Sequence, residues 1–232
     1  MTGTIQNRDK FLAKIASEFK RNVQIEGVTR PSLQDSINWK TLADKPNEEL
    51  IVIFKQQCEL IHTKVVDVKK EHLTQIVLEE IAAFNGGNLL LSDDERFMSS
   101  GIDKALKTQG LPIYIWGNEA GRTNIEKAEA ANIGICFAEY ALAESGTVVT
   151  ASNAGHGRAF DMLPQHFITI VEKEKIVPRS TQAVFDLNRR VEAGETLPSA
   201  LHFISGPSNS ADIEMELVVG VHGPLNMTYI LV

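Results

Sequence analysis

The chain opens on a helical spacing. Over residues 7–21 the apolar positions are Phe11, Leu12, Ile15, Ala16 and Phe19, three and four apart, with Asn or Asp available as cap. Residues 22–46 are polar and hold one glycine and two prolines, which predicts a long connection. Residues 1–45 then read as an N-terminal helical arm and linker, and 46–232 as one α/β domain. From residue 47 helical and strand patterns alternate. Residues 47–62 predict a helix, 64–68 (KVVDV) a strand, 71–84 a helix stopped by Asn85-Gly86-Gly87, and 88–91 a strand. A helix over 97–109, a strand at 112–116 (PIYIW), a helix over 122–131 and a strand at 134–137 continue the rhythm. This βαβα alternation predicts a mostly parallel sheet layered by helices. After residue 140 the character changes. Residues 147–151, 167–172, 201–204 and 227–232 predict strands, joined by loops rich in Gly, Ser and Pro.

Bulk properties narrow the function. A chain of 232 residues with 43% apolar composition buries roughly 70% of its unfolded surface and needs no staples to fold. A net charge of −7 argues against nucleic-acid binding, which asks for a basic face, yet leaves room for a local anion pocket. The two cysteines, Cys58 and Cys136, make no disulfide framework and no thiolate cluster for zinc or iron–sulfur, so no cofactor and no metal is assigned to this chain. The N-terminus has no apolar leader and no apolar run approaches 18 residues, which predicts a cytoplasmic protein without a membrane span.

The unusual residues gather in the last hundred positions. Gly155-His156-Gly157-Arg158 sets two glycines beside a guanidinium, a combination suited to phosphate or carboxylate. It lacks the third glycine of a dinucleotide fingerprint, because Phe160 stands there, and a mobile turn with a solvated Arg is the plain alternative. In ISGPSNSADIE (204–214) a strand runs into Ser205, Gly206, Ser208 and Ser210 before a helix start, which suits an anion cradle; helix capping explains the same residues equally well. Asp212 and Glu214 are close enough for acid–base work, though paired acids in a loop are usually solvated. GVHGP (220–224) places His222 and Gly223 in a turn, where the His binds a metal, relays protons or simply bonds the turn. Glu144, after AEYAL and before Ser145-Gly146-Thr147, is either a carboxylate at the edge of an apolar segment, raised toward base or nucleophile chemistry, or a helix-end Glu meeting water or Arg158. His156, His166, His222 and Asp212 lack the spacing of a helical zinc site.

Four blocks carry a resemblance. AESGT (143–147), RAFDMLPQH (158–166), SGPSNSADIE (205–214) and GVHGP (220–224) resemble, in order and spacing, the signature blocks of the lactate utilization protein C family, which carries the LUD domain. Ser145 departs from the threonine usual there, and neither the acid nor the glycine beside it is lost. The resemblance covers about residues 45–232, and the N-terminal helix is also typical of that family. It implies a fold of the NagB/RpiA/CoA-transferase group and a part in oxidising L-lactate to pyruvate beside partner proteins that carry iron–sulfur clusters. A pocket for a small carboxylate or phosphorylated ligand would then be lined by Glu144, Gly146, Thr147, Gly155, His156, Gly157, Arg158, His166, Ser205, Gly206, Ser208, Ser210, Asp212, Glu214, His222 and Gly223. Arg158 would take the anion, with help from backbone N–H groups of Gly146, Gly157 and Gly206. Two alternatives stand beside this: an enzyme of the CoA-transferase type using Glu144, by fold analogy, and a structural or regulatory subunit that works through its arm. Self-association is compatible with either.

Overall fold

The computed structural model describes residues 6–24, 27, 36–196, 198–211 and 217–232. The chain divides into two units, Met1–Ser36 and Ile37–Val232. Among its described residues the first contains the helix α1 (Arg8–Glu18), matching the apolar spacing of that stretch.

The second unit is built on a six-stranded parallel sheet. Its strands are β1 (Lys64–Asp67), β2 (Leu89–Leu91), β3 (Ile113–Ile115), β4 (Ile133–Phe137), β7 (His166–Val171) and β12 (Asn226–Leu231), in the order β1-β12-β7-β4-β2-β3. The central strands are apolar on both faces, as IGICF in β4 shows, because each face is covered. One face meets α4 (Leu73–Ala83), α5 (Arg96–Ser99) and α6 (Ile102–Thr108), with Val77, Ile81 and Leu106 packed on Leu89, Leu91, Ile135 and Ile168.

The opposite face meets α3 (Asn47–Leu60), α7 (Arg122–Glu129) and a second sheet. That sheet has the order β8-β5-β6-β9, from β5 (Tyr140–Leu142), β6 (Thr147–Ala151), β8 (Ile176–Val177) and β9 (Leu201–Ile204). Its outer side is closed by α8 (Ser180–Glu192), where Ala183 and Leu187 pack on Tyr140, Leu142 and Val149. A short α2 (Ile37–Lys40) sits before α3, and a two-stranded hairpin, β10 (Asn209–Ala211) and β11 (Leu217–Val219), follows β9.

Five expectations change. The loops read between 172 and 201 contain α8, whose stripe is short because Val184 and Phe185 stay exposed beside Ala183 and Leu187. The single helix over 97–109 is two, α5 and α6, broken where Gly101 takes a φ of +77°. Residues 140–142 are strand, so Glu144 caps a β-hairpin rather than a helix end. The stretch after SGPS enters a strand, β10, instead of a helix. The connection over 22–46 contains α2.

Candidate functional site

Antiparallel pairing of β6 with β9 sets Thr150 opposite His202. Cross-strand partners share a face, so both side chains reach one acceptor. That acceptor is Asp161, in the loop before β7 and only 4% exposed. Thr150 Oγ1 donates to Asp161 Oδ2 at 2.8 Å, and His202 Nδ1 lies 2.5 Å from the same oxygen. The other oxygen, Oδ1, is 2.8 Å from His156 Nε2. His156 gets there through a tight turn in which Asn153 Oδ1 accepts from Gly155 N at 2.8 Å and Asn153 bridges back to His156.

Burial alone would raise the Asp161 pKa, but hydrogen bonds from His156 and His202 outweigh it and hold the carboxyl below its ordinary range. A carboxylate only accepts, so each histidine turns a protonated nitrogen toward it. This leaves His202 Nε2 with no protein partner among the described residues.

Asp161 and His202 form one wall of a cavity of about 370 Å³, within the size range of small-molecule sites. Its polar lining is continued by Ser205, Ser208 and His222, with Met162, Phe203 and Ile204 among the apolar residues beside them. Loop bonds fix these groups: Ser208 N donates to Pro224 O at 2.9 Å, Gly220 N to Ser208 O at 2.9 Å, and His222 N to Ser208 Oγ at 3.3 Å. Gly206 takes a φ of +78°, and a Cβ there would lie 2.4 Å from the Ile61 carbonyl oxygen, so only glycine seats this loop. Ser205 Oγ continues into a hydroxyl chain, 2.7 Å from Thr147 Oγ1, which is itself 2.7 Å from Ser145 Oγ.

Several expected site residues stand apart from this cavity, or, like Gly206, line it without offering a free group to it. The Glu144 carboxylate is paired with Arg179, not Arg158, at 2.9 Å from Nη2 and 3.1 Å from Nε. Gly146 spends its N–H on Leu142 O at 3.1 Å, and Gly206 N donates to the Tyr229 hydroxyl at 3.4 Å, so neither amide awaits an anion. Gly155 and Gly157 answer to packing: a Cβ on Gly157 would lie 2.1 Å from the Trp116 ring, and one on Gly155 would lie 2.6 Å from Asp93. Arg158 is exposed and makes no ion pair among the described residues. His166, at the start of β7, stacks on Phe84 with ring centroids 4.4 Å apart and meets Asn226; burial lowers its pKa. Ser210 sits in β10 opposite Val218. Asp212 and Glu214 lie outside the described residues.

Asp161, His202 and Thr150 were not among the expected residues. Their signal is faint: a His alternating with apolar residues in LHFI, and an acid set between Phe160 and Met162. A larger cavity, about 580 Å³, opens beside Glu139, Asn153, Arg190 and Ser199. Its guanidinium is already committed to Glu139 at 3.4 Å and Glu195 at 2.7 Å, which makes it the poorer anion site. Among the described residues no helix is long and apolar enough to cross a membrane.

A family model described as the LUD domain matches residues 51–232. The chain is similar to the lactate utilization protein C of Geobacillus sp. (strain WCH70), 44% identical over 235 residues covering 100% of this chain and 98% of that protein. It is 42% identical over 234 residues to the protein of the same name from Bacillus subtilis (strain 168), covering 99% and 98%. A crystal structure of a DUF162 family protein from Deinococcus radiodurans superposes with a TM-score of 0.57 over 80% of this chain and 98% of that one. At 18% identity that structure shows the shared fold.

Proposed function

We propose a function from one premise: this chain belongs to the LUD domain family. It serves lactate utilisation, the role its relatives' names give to them, as a cytoplasmic component of the system that oxidises L-lactate to pyruvate. Its cavity takes a small 2-hydroxy or 2-oxo carboxylate.

The observation that carries this is His202, held by buried Asp161 at the cavity wall. With Nδ1 donating to Asp161, His202 turns Nε2 to the cavity as the partner for the hydroxyl of a 2-hydroxy acid. The Ser205 and Ser208 hydroxyls and His222 supply donors for the carboxylate end. Asp161 is the one acid among the described lining residues, and both of its oxygens accept hydrogen bonds from Thr150, His156 and His202, which turn its charge away from the cavity's serine hydroxyls.

Cys58 and Cys136 are the only cysteines in the chain. Both are buried, and burial pushes the Cys58 thiol up to about 12 and the Cys136 thiol well above its ordinary value. We assign the electrons of lactate oxidation to partner proteins that carry iron–sulfur clusters. A strain lacking this gene, grown on L-lactate as sole carbon source, tests the reading. The parent gene restores growth and His202→Ala does not. Unimpaired growth of the deletion strain, or full rescue by His202→Ala, contradicts it.

A further inference from the structure

Behind the Asp161 wall lies a buried polar cluster whose other members do not line the ligand cavity. Cys136 on β4 sits in register with Thr169 on β7, and Ser92, one residue past the end of β2, donates its N–H to Ile135 O beside it. Side chains in register on a parallel sheet share a face. Leu91, Ile135, Ile168 and Ile170 pack against the helices on one side, so Ser92, Cys136 and Thr169 face the other, where the second sheet and the His156 loop lie. Ser92 is 5% exposed and Thr169 0%, and neither hydroxyl has a nitrogen or oxygen partner. Ser92 and Thr169 flank Cys136 in one row across the sheet, Thr169 bonds the thiol, and the Ser92 hydroxyl left without a partner asks for something polar beside it.

Into the same space project His156 and Asp161. Cys136 Sγ, a ring nitrogen of His156 and a carboxylate oxygen of Asp161 all lie within 4.8 Å of one another. We propose that Cys136, His156 and Asp161 bind a zinc ion, with Ser92 and Thr169 in the surrounding polar shell. One thiolate, one imidazole and one carboxylate make a mixed sulfur, nitrogen and oxygen set that suits this borderline-soft ion and leaves a fourth tetrahedral position. Calcium and magnesium want oxygen ligands alone. The orienting partners are in place, because Thr150 and His202 both hold the Asp161 oxygen that His156 does not touch. On loading, zinc takes the place of the Cys136 thiol proton, which leaves to solvent, and for His156 to coordinate through Nε2 the proton that this nitrogen gives to Asp161 passes to Nδ1.

The test uses the full chain after removal of metal with a chelator. Zinc titration with metal analysis is paired with cobalt substitution, whose thiolate-to-cobalt charge-transfer band reports sulfur ligation. The expected result is about one zinc per chain and a charge-transfer band. In Cys136→Ser the band disappears, and in Thr150→Val affinity falls about tenfold. Circular dichroism confirms that each variant is folded; His156→Asn replaces any that is not. Cys136 lies outside the lining of the carboxylate cavity, so its variant separates this proposal from the ligand reading. No zinc uptake by the parent, a cobalt complex without the band, or undiminished zinc binding by folded Cys136→Ser would each overturn the proposal.

Discussion

His202 Nδ1 stands 2.5 Å from Asp161 Oδ2, although the two residues are 41 positions apart in the chain. The contact joins a strand of the small sheet to the loop that feeds the central β7, and it fixes which nitrogen of His202 faces the cavity. His156 binds the other Asp161 oxygen, so one buried carboxylate organises both the cavity wall and the buried cluster behind it.

Removing that carboxylate should be costly. Asp161→Asn keeps the shape but leaves two histidines facing an amide, one side of which is a donor. Urea unfolding at pH 7 should show a loss of about 2–3 kcal/mol, since breaking one partner of a buried charged network exposes the others to its absence.

The same residue sets an acid limb. Its folded-state pKa lies below the ordinary carboxylate value of about 3.9, so its stabilising contribution is complete above that pH. As pH falls through the depressed folded value the contribution is lost. Unfolding free energy measured from pH 6 to pH 2.5 should therefore drop more steeply below about pH 4 in the parent than in Asp161→Asn. Parallel curves would mean that Asp161 carries no linked charge.

Gly157 should tolerate no side chain. A Cβ there would sit 2.1 Å from a buried tryptophan ring, and overpacking of this kind costs roughly 1–3 kcal/mol. Gly157→Ala should unfold at correspondingly lower urea, with a shift in fluorescence because Trp116 is the ring displaced.

Glu144 should matter little. Its side chain is 32% exposed and its partner Arg179 25% exposed, so the pair is worth at most about 1 kcal/mol after screening. Glu144→Gln should unfold within that margin of the parent and respond to carboxylate ligands unchanged. Loss of the ligand response in Glu144→Gln would return that residue to the site.

The strands of the central sheet were legible because a strand covered on both faces reads as a short apolar run, as in Ile133–Phe137. Helix α8 was not, because exposed Val184 and Phe185 flank buried Ala183 and Leu187 and blur the periodicity. Within the site, His156, Ser205, Gly206, Ser208, His222 and Gly223 stood out as polar or glycine breaks in the pattern. Asp161 and His202 did not, because their roles come from the β6–β9 register and a loop that returns to it, which no local window contains. Glu144 and Arg158 were legible as unusual residues, but which charge met which depended on the long connection that brings Arg179 to the hairpin.

The central claim is a carboxylate cavity organised by His202, and thermal unfolding of the parent and His202→Ala with L-lactate and pyruvate tests it most directly. Ligand at 100 times its dissociation constant adds about 2.7 kcal/mol, which for a chain of this size raises the midpoint by about 2–4 °C per kcal/mol. A saturable rise in the parent that is absent from a folded His202→Ala is the expected result. No rise in the parent with either acid, or an equal rise in both proteins, would contradict the assignment.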